Sequence, residues 1–280
     1  MYPARKRSRK WDLTNNKVKR ITAVISLVLI CVLLCACGQS AGDVSASPTA
    51  ALTPTPEPVP VPTEEPTPEP TPDSRVLDES WFDDAVFIGD SVTASLETYA
   101  EQYGGVGDSL FLCRPSYSLR SAVSNEMKLQ YAGTYYSIED AIAQTGQKKV
   151  IMMLGGNDFG LLTERIKGTM EYWNIVYDKI AQVNPDAEIF IESVLPMHKQ
   201  SETETFNNEL IDELNSLVKD FCSEKGAVYI DLNGYFKGDD NTLKEEYSLD
   251  HQIHINEAGI QLWIEQLKNV DNYSEDPREA

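Results

Sequence analysis

The chain has 280 residues, with 24 Lys and Arg against 44 Asp and Glu, for a formal net charge of -20. That length holds one or two ordinary domains with a real core and excludes a peptide-sized disulfide scaffold. The negative charge argues against a nucleic-acid partner, because such binders cluster Lys and Arg on the ligand face.

The charge is unevenly placed. Residues 1–20 hold eight of the 24 basic residues and one acid, Asp12, while 21–37 carry no charge. Ile21–Ala36 is an apolar run behind that basic segment, the layout of an export signal, and it is short for a transmembrane helix, which needs about 20 residues. Leu34-Cys35-Ala36-Cys37-Gly38 resembles the bacterial lipoprotein cleavage box, in which the cysteine becomes lipid-modified and N-terminal. By that resemblance Cys37 is the mature first residue, residues 1–37 are a lipoprotein signal peptide, and the membrane is a partner through a lipid anchor. The alternative is an uncleaved membrane anchor. Either way the rest of the chain faces outward, toward the extracellular side or a cell wall.

Residues 38–74 read as a Pro/Thr-rich disordered linker: ten of the chain's 15 prolines fall between Ser47 and Ser74. Proline at nearly every second position fixes φ and removes backbone donors, so this stretch is a polyproline-II spacer without a core. At about 3.1 Å per residue, Pro48–Pro72 could span roughly 80 Å. Residues 75–280 form the one folded domain, with 16 basic and 37 acidic residues.

Within that domain, apolar runs predict strands at Ala85–Ile88, Leu110–Cys113, Val150–Leu154, Ile189–Val194 and Val228–Ile230. Amphipathic stretches between them predict helices over Val92–Gln102, Ile138–Gln144, Glu164–Val183, Glu204–Glu224 and Glu257–Asn269. Doubly buried strands alternating with helices indicate an α/β fold, a three-layer α/β/α sandwich with a five-stranded parallel sheet. Ligands of such sheets sit at the carboxyl ends of the strands. The tail Asp271–Ala280 is expected to lack order.

Three of those ends carry chemistry. Phe87-Ile88-Gly89-Asp90-Ser91 feeds a strand into a helix and puts the Ser91 hydroxyl among free N–H groups, which suits a nucleophile; Asp-Ser is equally a good helix cap. Met153-Leu154-Gly155-Gly156-Asn157-Asp158 can turn an Asn amide into the same cleft, or simply make a glycine turn. Asp250-His251-Gln252-Ile253-His254-Ile255-Asn256-Glu257-Ala258-Gly259 brings two of the chain's three histidines before the last helix.

Together the three blocks, in that order, resemble the SGNH (GDSL-type) hydrolase superfamily over residues 80 to 270. The resemblance implies a flavodoxin-like fold, Ser91 as nucleophile, His254 as general base, and Asn157 with the Ser91 N–H as oxyanion donors. The literal string Gly107-Asp108-Ser109-Leu110 precedes a strand instead of ending one, which puts Ser109 at the wrong edge of the sheet. Two positions depart from the family pattern. Ser118 stands where the family has a glycine that lends its N–H to the oxyanion hole; it either serves through its own N–H or only caps the following helix. The acid usually lies three residues before the base, where this chain has His251; a one-residue bulge would bring Asp250 onto the imidazole, and otherwise a Ser–His dyad or His251 does the work.

Asp158 is expected to stabilise its own turn, and His198 to lie in an exposed loop. Cys113 and Cys222 are expected to be buried free thiols. Two cysteines suggest no metal site, and no phosphate-cradling or dinucleotide fingerprint implies a cofactor. The expected activity is a serine esterase acting on small acyl, mainly acetyl, esters of a carbohydrate or cell-wall polymer, in a monomer. The alternatives are an acyltransferase to wall glycans using the same residues, and a non-catalytic glycan-binding or sensing lipoprotein.

Overall fold

The computed structural model describes residues 75–159 and 165–279, so the readings of the signal segment, Cys37 and the Pro-rich stretch fall outside the described residues. Among the described residues, no helix is long and apolar enough to cross a membrane.

In chain order the strands are β1 (Ala85–Gly89), β2 (Leu110–Cys113), β3 (Leu129–Tyr131), β4 (Thr134–Tyr136), β5 (Lys149–Met153), β6 (Glu188–Glu192) and β7 (Val228–Ile230). The helices are α1 (Ser91–Tyr103), α2 (Leu119–Ser124), α3 (Ile138–Thr145), α4 (Arg165–Val183), α5 (Asn208–Lys225), α6 (Asn233–Phe236) and α7 (Glu257–Lys268). Each apolar run thus forms a strand and each amphipathic stretch a helix. The short α2, α6 and the β3–β4 hairpin escape periodicity because none is long enough to show a period. Helix α5 starts at Asn208, later than its apolar pattern suggests, because Asn207 caps it by accepting the Leu210 N–H at 3.0 Å.

The five main strands pair in parallel in the order β2-β1-β5-β6-β7, and β3 and β4 form a separate antiparallel ribbon. Val86, Ile88, Val150 and Met152 pack on one face against residues of α2 to α5 such as Leu119, Ile142, Trp173 and Leu214. Ala85, Phe87, Ile151 and Phe190 pack on the other against Leu96 of α1 and Trp263 and Leu267 of α7. With both faces covered, every second residue is apolar on each side and the strands read as continuous apolar runs.

The chain lays β2 on one side of β1 and then crosses to the other side for β5, so the direction of winding reverses between β1 and β5. That reversal opens a crevice beyond their carboxyl ends. Gly89 is level with both Cys113 and Met153 in the register, so the segments that follow three strands leave the sheet at one height. A side chain at Gly89 would overlap Thr93 and crowd the Met153 carbonyl, at 3.1 Å from the would-be Cβ.

The tail differs from expectation. Tyr273 bridges to Ile230, the Ser274 Oγ accepts the Tyr229 N–H at 2.9 Å, and Tyr273 is buried among the residues under α7. The open edge of β7 presents unpaired backbone groups, and Asn272–Ser274 satisfies them.

At the end of β6, Glu192 is 2% exposed and accepts the Trp263 indole N–H at 2.7 Å. Burial pushes its carboxyl up to about 8, against the pull of that indole bond. An unfolded Glu titrates near about 4.3, so between these values the native protein holds a proton that the unfolded chain has released. Its contribution to stability is complete below the unfolded value and is lost as pH rises through the folded one. Glu192→Gln keeps the acceptor without the charge. Its melting temperature relative to the parent should therefore climb between pH 5 and pH 9, and a gap independent of pH would refute the buried, protonated carboxyl.

Candidate active site

Ser91 is the first residue of α1, so its N–H has no intrahelical acceptor. Asp90 caps the same helix, its Oδ1 accepting the Val92 N–H at 2.9 Å. The loop before α7 is closed by a bridge between Ser248 and Ile255 and delivers His254 to this point. His254 Nε2 lies 2.9 Å from Ser91 Oγ, and His254 Nδ1 lies 2.6 Å from Asp250 Oδ2.

The four-residue spacing from Asp250 to His254 is absorbed at His251, whose φ of 56° is left-handed. Such a residue costs of order 1–3 kcal/mol and persists only when its neighbours determine it. Here the His251 N–H donates to Ser248 Oγ at 3.0 Å, and the His251 carbonyl accepts from Ser201 Oγ at 2.9 Å. Asp250 is then free to accept from the Gln252 N–H at 2.8 Å and from the imidazole. Partial burial works to raise its pKa, but the bonds from His254 and the Gln252 N–H outweigh it and hold the carboxyl below its ordinary value. An ionised Asp250 accepts a hydrogen bond from Nδ1–H and so keeps the ring proton on Nδ1, which leaves the Nε2 lone pair facing the Ser91 hydroxyl.

Asn157 follows β5 through Gly155, whose φ of 115° favours glycine, with a would-be Cβ only 3.0 Å from Leu214. The Asn157 amide donates to Asp90 Oδ2 at 2.7 Å and to the Tyr117 carbonyl at 3.2 Å. Asp90 therefore holds Asn157 as well as capping α1, a pairing the sequence does not signal. Burial pushes Asp90 up to about 6, against the Val92 bond and the nearby His254. Ser118 caps α2, its Oγ accepting the Ser121 N–H at 3.1 Å. The carbonyl and N–H of one trans peptide point in opposite directions, so with the Tyr117 carbonyl turned to Asn157 the Ser118 N–H is aimed away from that amide.

A family model described as "GDSL-like Lipase/Acylhydrolase family" matches residues 87–262, from β1 into α7. The chain belongs to this family. It is an ester hydrolase, and its architecture is that of solved relatives. One, from Streptococcus pneumonia and provisionally described as a platelet activating factor, is 21% identical with a TM-score of 0.54, over 66% of this chain and 82% of that one. A provisionally assigned acylhydrolase from Bacteroides fragilis is 13% identical with a TM-score of 0.54, over 65% and 83%. A GDSL-like lipase from Bacteroides thetaiotaomicron is 14% identical with a TM-score of 0.53, over 66% and 85%. At these identities the likeness is one of fold. The sequence matches no curated protein.

Around this candidate site, several residues depart from their expected places. Asp158 does more than stabilise its own turn: fully buried, it accepts the N–H groups of Leu119 and Arg120, each at 3.0 Å, and so ties the β5 turn to the start of α2. His198 is buried instead of exposed, because the chain after β6 runs beneath the histidine loop and its N–H donates to the Gln252 carbonyl at 2.7 Å. Its Nε2 lies 2.8 Å from Glu245 Oε2, and His251 Nδ1 lies 3.2 Å from Glu245 Oε1. His251 is thus turned to Glu245, not to His254. Ser109 sits at the amino end of β2, at the far edge of the sheet. Cys113 and Cys222 are free thiols, Cys222 buried and Cys113 half-buried and donating to Glu97 Oε2 at 3.0 Å.

His198, Glu245 and His251 bring possible ligand atoms within 4.8 Å of one another, which raises the question of a metal. The Gln200 N–H points at His198 Nδ1, at 3.2 Å, so the ring proton sits on Nε2 and is donated to Glu245. A cation at Nε2 would have to displace that proton and lose the Gln200 bond. The group is a hydrogen-bonded brace for the histidine loop. For Asp158→Ala, we expect an unfolding free energy lower by about 1–3 kcal/mol for each N–H left unpaired, read by urea titration. An unchanged urea midpoint would mean that the two amides find other partners.

Proposed function

We propose that this ester hydrolase is a serine esterase in which Ser91 is the nucleophile, His254 the general base and Asp250 the orienting acid. The observation that carries the reading is the continuous hydrogen-bonded line from Asp250 through His254 to Ser91, at 2.6 and 2.9 Å. His254 Nε2 takes the Ser91 hydroxyl proton as Oγ adds to the ester carbonyl. The Ser91 N–H and the Asn157 amide receive the oxyanion, the amide giving up its longer bond to the Tyr117 carbonyl. The ester C–O bond then breaks and the leaving alcohol takes the proton from His254. Water, deprotonated in turn by His254, releases the carboxylic acid and restores Ser91. The Ser118 N–H can join the oxyanion hole only if the 117–118 peptide turns over, so the hole we propose has two donors, the Ser91 N–H and the Asn157 amide.

The substrate we propose is a short acyl ester, above all acetyl, on a carbohydrate or wall polymer. A pocket of about 30 Å³ lies beside Asn157, walled by Leu154, Val194, Leu195, Phe206 and Ile253. Its small size and apolar walls suit a short acyl group such as an acetyl methyl. The lipoprotein-like signal and the Pro-rich stretch support a domain held outside the cell on a lipid anchor at Cys37.

Two measurements check the reading. A fluorophosphonate should label the protein and not Ser91→Ala; a folded parent that gains no Ser91-dependent adduct would sink it. Asn157→Ala should lose ~10²–10³ in kcat with its fold intact, as expected for removal of one oxyanion donor, and near-parent turnover would remove Asn157 from the mechanism.

A further inference from the structure

A second and larger depression, of about 450 Å³, starts at Ser91 and runs outward between α1 and the loop and helix start around Leu249, Ile255 and Asn256. Resting on the esterase reading, we propose that it is the subsite for the alcohol half of the ester, and that it takes an uncharged oligosaccharide stacked on Tyr99 and Tyr103.

The side of the site comes from the chemistry. The group that protonates the leaving oxygen is His254, so the leaving alcohol lies on the imidazole's side of Ser91. The groove wall there is His254's own loop: Ile255 is the next residue, and the Leu249 N–H donates to the His254 carbonyl at 2.9 Å. The small apolar pocket lies beside Asn157, so the acyl and alcohol halves have separate places.

The ligand class comes from the lining. Along α1 the groove floor is Ser91, Ala94, Ser95, Thr98, Tyr99 and Gln102, a recurrence of three and four residues that makes one helix face, while Val92 and Leu96 turn to the core. That face is small and hydroxylated near Ser91 and aromatic at its far end. Tyr99 and Tyr103 have ring centroids 4.7 Å apart, and the Gln102 amide donates to the Tyr103 hydroxyl at 2.8 Å. Tyr103 is 56% exposed and Leu249 64%, so the two largest exposed apolar side chains of this region face the same groove. Aromatic rings beside hydroxyl and amide groups match a sugar, which offers C–H faces to the rings and hydroxyls to the polar groups. Among the described residues, Glu257 is the one charged group lining the groove and no Lys or Arg lines it, so phosphorylated or carboxylated glycans are disfavoured.

Length follows from helix geometry. At 1.5 Å per residue, Tyr99 stands roughly 12 Å and Tyr103 roughly 18 Å along α1 from Ser91. A single acetylated sugar held at Ser91 cannot reach the second ring, whereas an oligosaccharide can. The tyrosines therefore act on binding of long substrates and not on bond cleavage.

The test compares the full chain with Tyr103→Ala and Tyr99→Ala/Tyr103→Ala on p-nitrophenyl acetate, an acetylated monosaccharide and partially acetylated cellotetraose. KM for the tetrasaccharide should rise about fivefold to tenfold on loss of the rings, with kcat unchanged. Kinetics on the two small esters should stay within about twofold, and Tyr103→Phe, which keeps the ring, should retain the parent KM. Equal losses on all three substrates, unchanged KM for the tetrasaccharide, or a parent that cleaves p-nitrophenyl acetate but not the tetrasaccharide would each overturn the subsite alone. A parent that cleaves none of the three and takes up no fluorophosphonate would overturn the esterase reading, and the subsite with it.

Discussion

The site depends on the register of three parallel strands. Because Gly89 pairs level with both Cys113 and Met153, the segments carrying Ser91, Ser118 and Asn157 all begin at one height above the sheet. A parallel sheet holds this register firmly, since a slip of one residue would exchange the two buried faces, Phe87 for Ile88 and Ile151 for Met152. The winding reversal between β1 and β5 keeps the space between those segments open. Gly89 lets β1 meet α1 closely enough for Ser91 to stand at the rim.

Above the sheet, two buried carboxylates join segments that the sheet only brings near. Asp90 links the start of α1 to Asn157, and Asp158 links the Asn157 turn to the start of α2. Both are desolvated, and burial raises both pKa values. Each is held by backbone N–H groups at a helix start, the place where orphan donors and the helix dipole favour negative charge. A network of this kind fixes geometry more than it adds stability, because its bonds replace equally good bonds to water.

The histidine loop is built differently. It owes little to the sheet and much to side chains around it: Glu245 faces both His198 and His251, the His198 N–H donates to the Gln252 carbonyl, and His251 takes a left-handed backbone between them. The extra residue relative to the usual spacing is thereby folded out of the line from Asp250 to His254. The strain at His251 is local and is offset by bonds on every side of the residue.

Local pattern carries the layered α/β class, the five strands of the main sheet and the five longer helices, because burial on both faces writes long apolar runs and a covered helix writes a 3.6-residue period. It also marked Gly89-Asp90-Ser91, Gly155-Gly156-Asn157 and the Asp250–His254 loop, since turns at strand ends need glycine and the chemistry-bearing residues sit beside them. The remaining features come from contacts between distant parts of the chain. Asp90 meets Asn157 across 67 residues of chain and Asp158 meets Leu119 across 39, separations at which no local pattern survives. The order of the tail was hidden for the same reason: Asn272–Ser274 is polar by composition and is ordered by the open edge of β7, a partner formed some 40 residues earlier. His198 looked like a loop residue because its burial comes from Gln252 and Glu245, which reach it only once the last helix is docked. Local pattern records which face of an element is covered, and tertiary structure alone supplies what covers it.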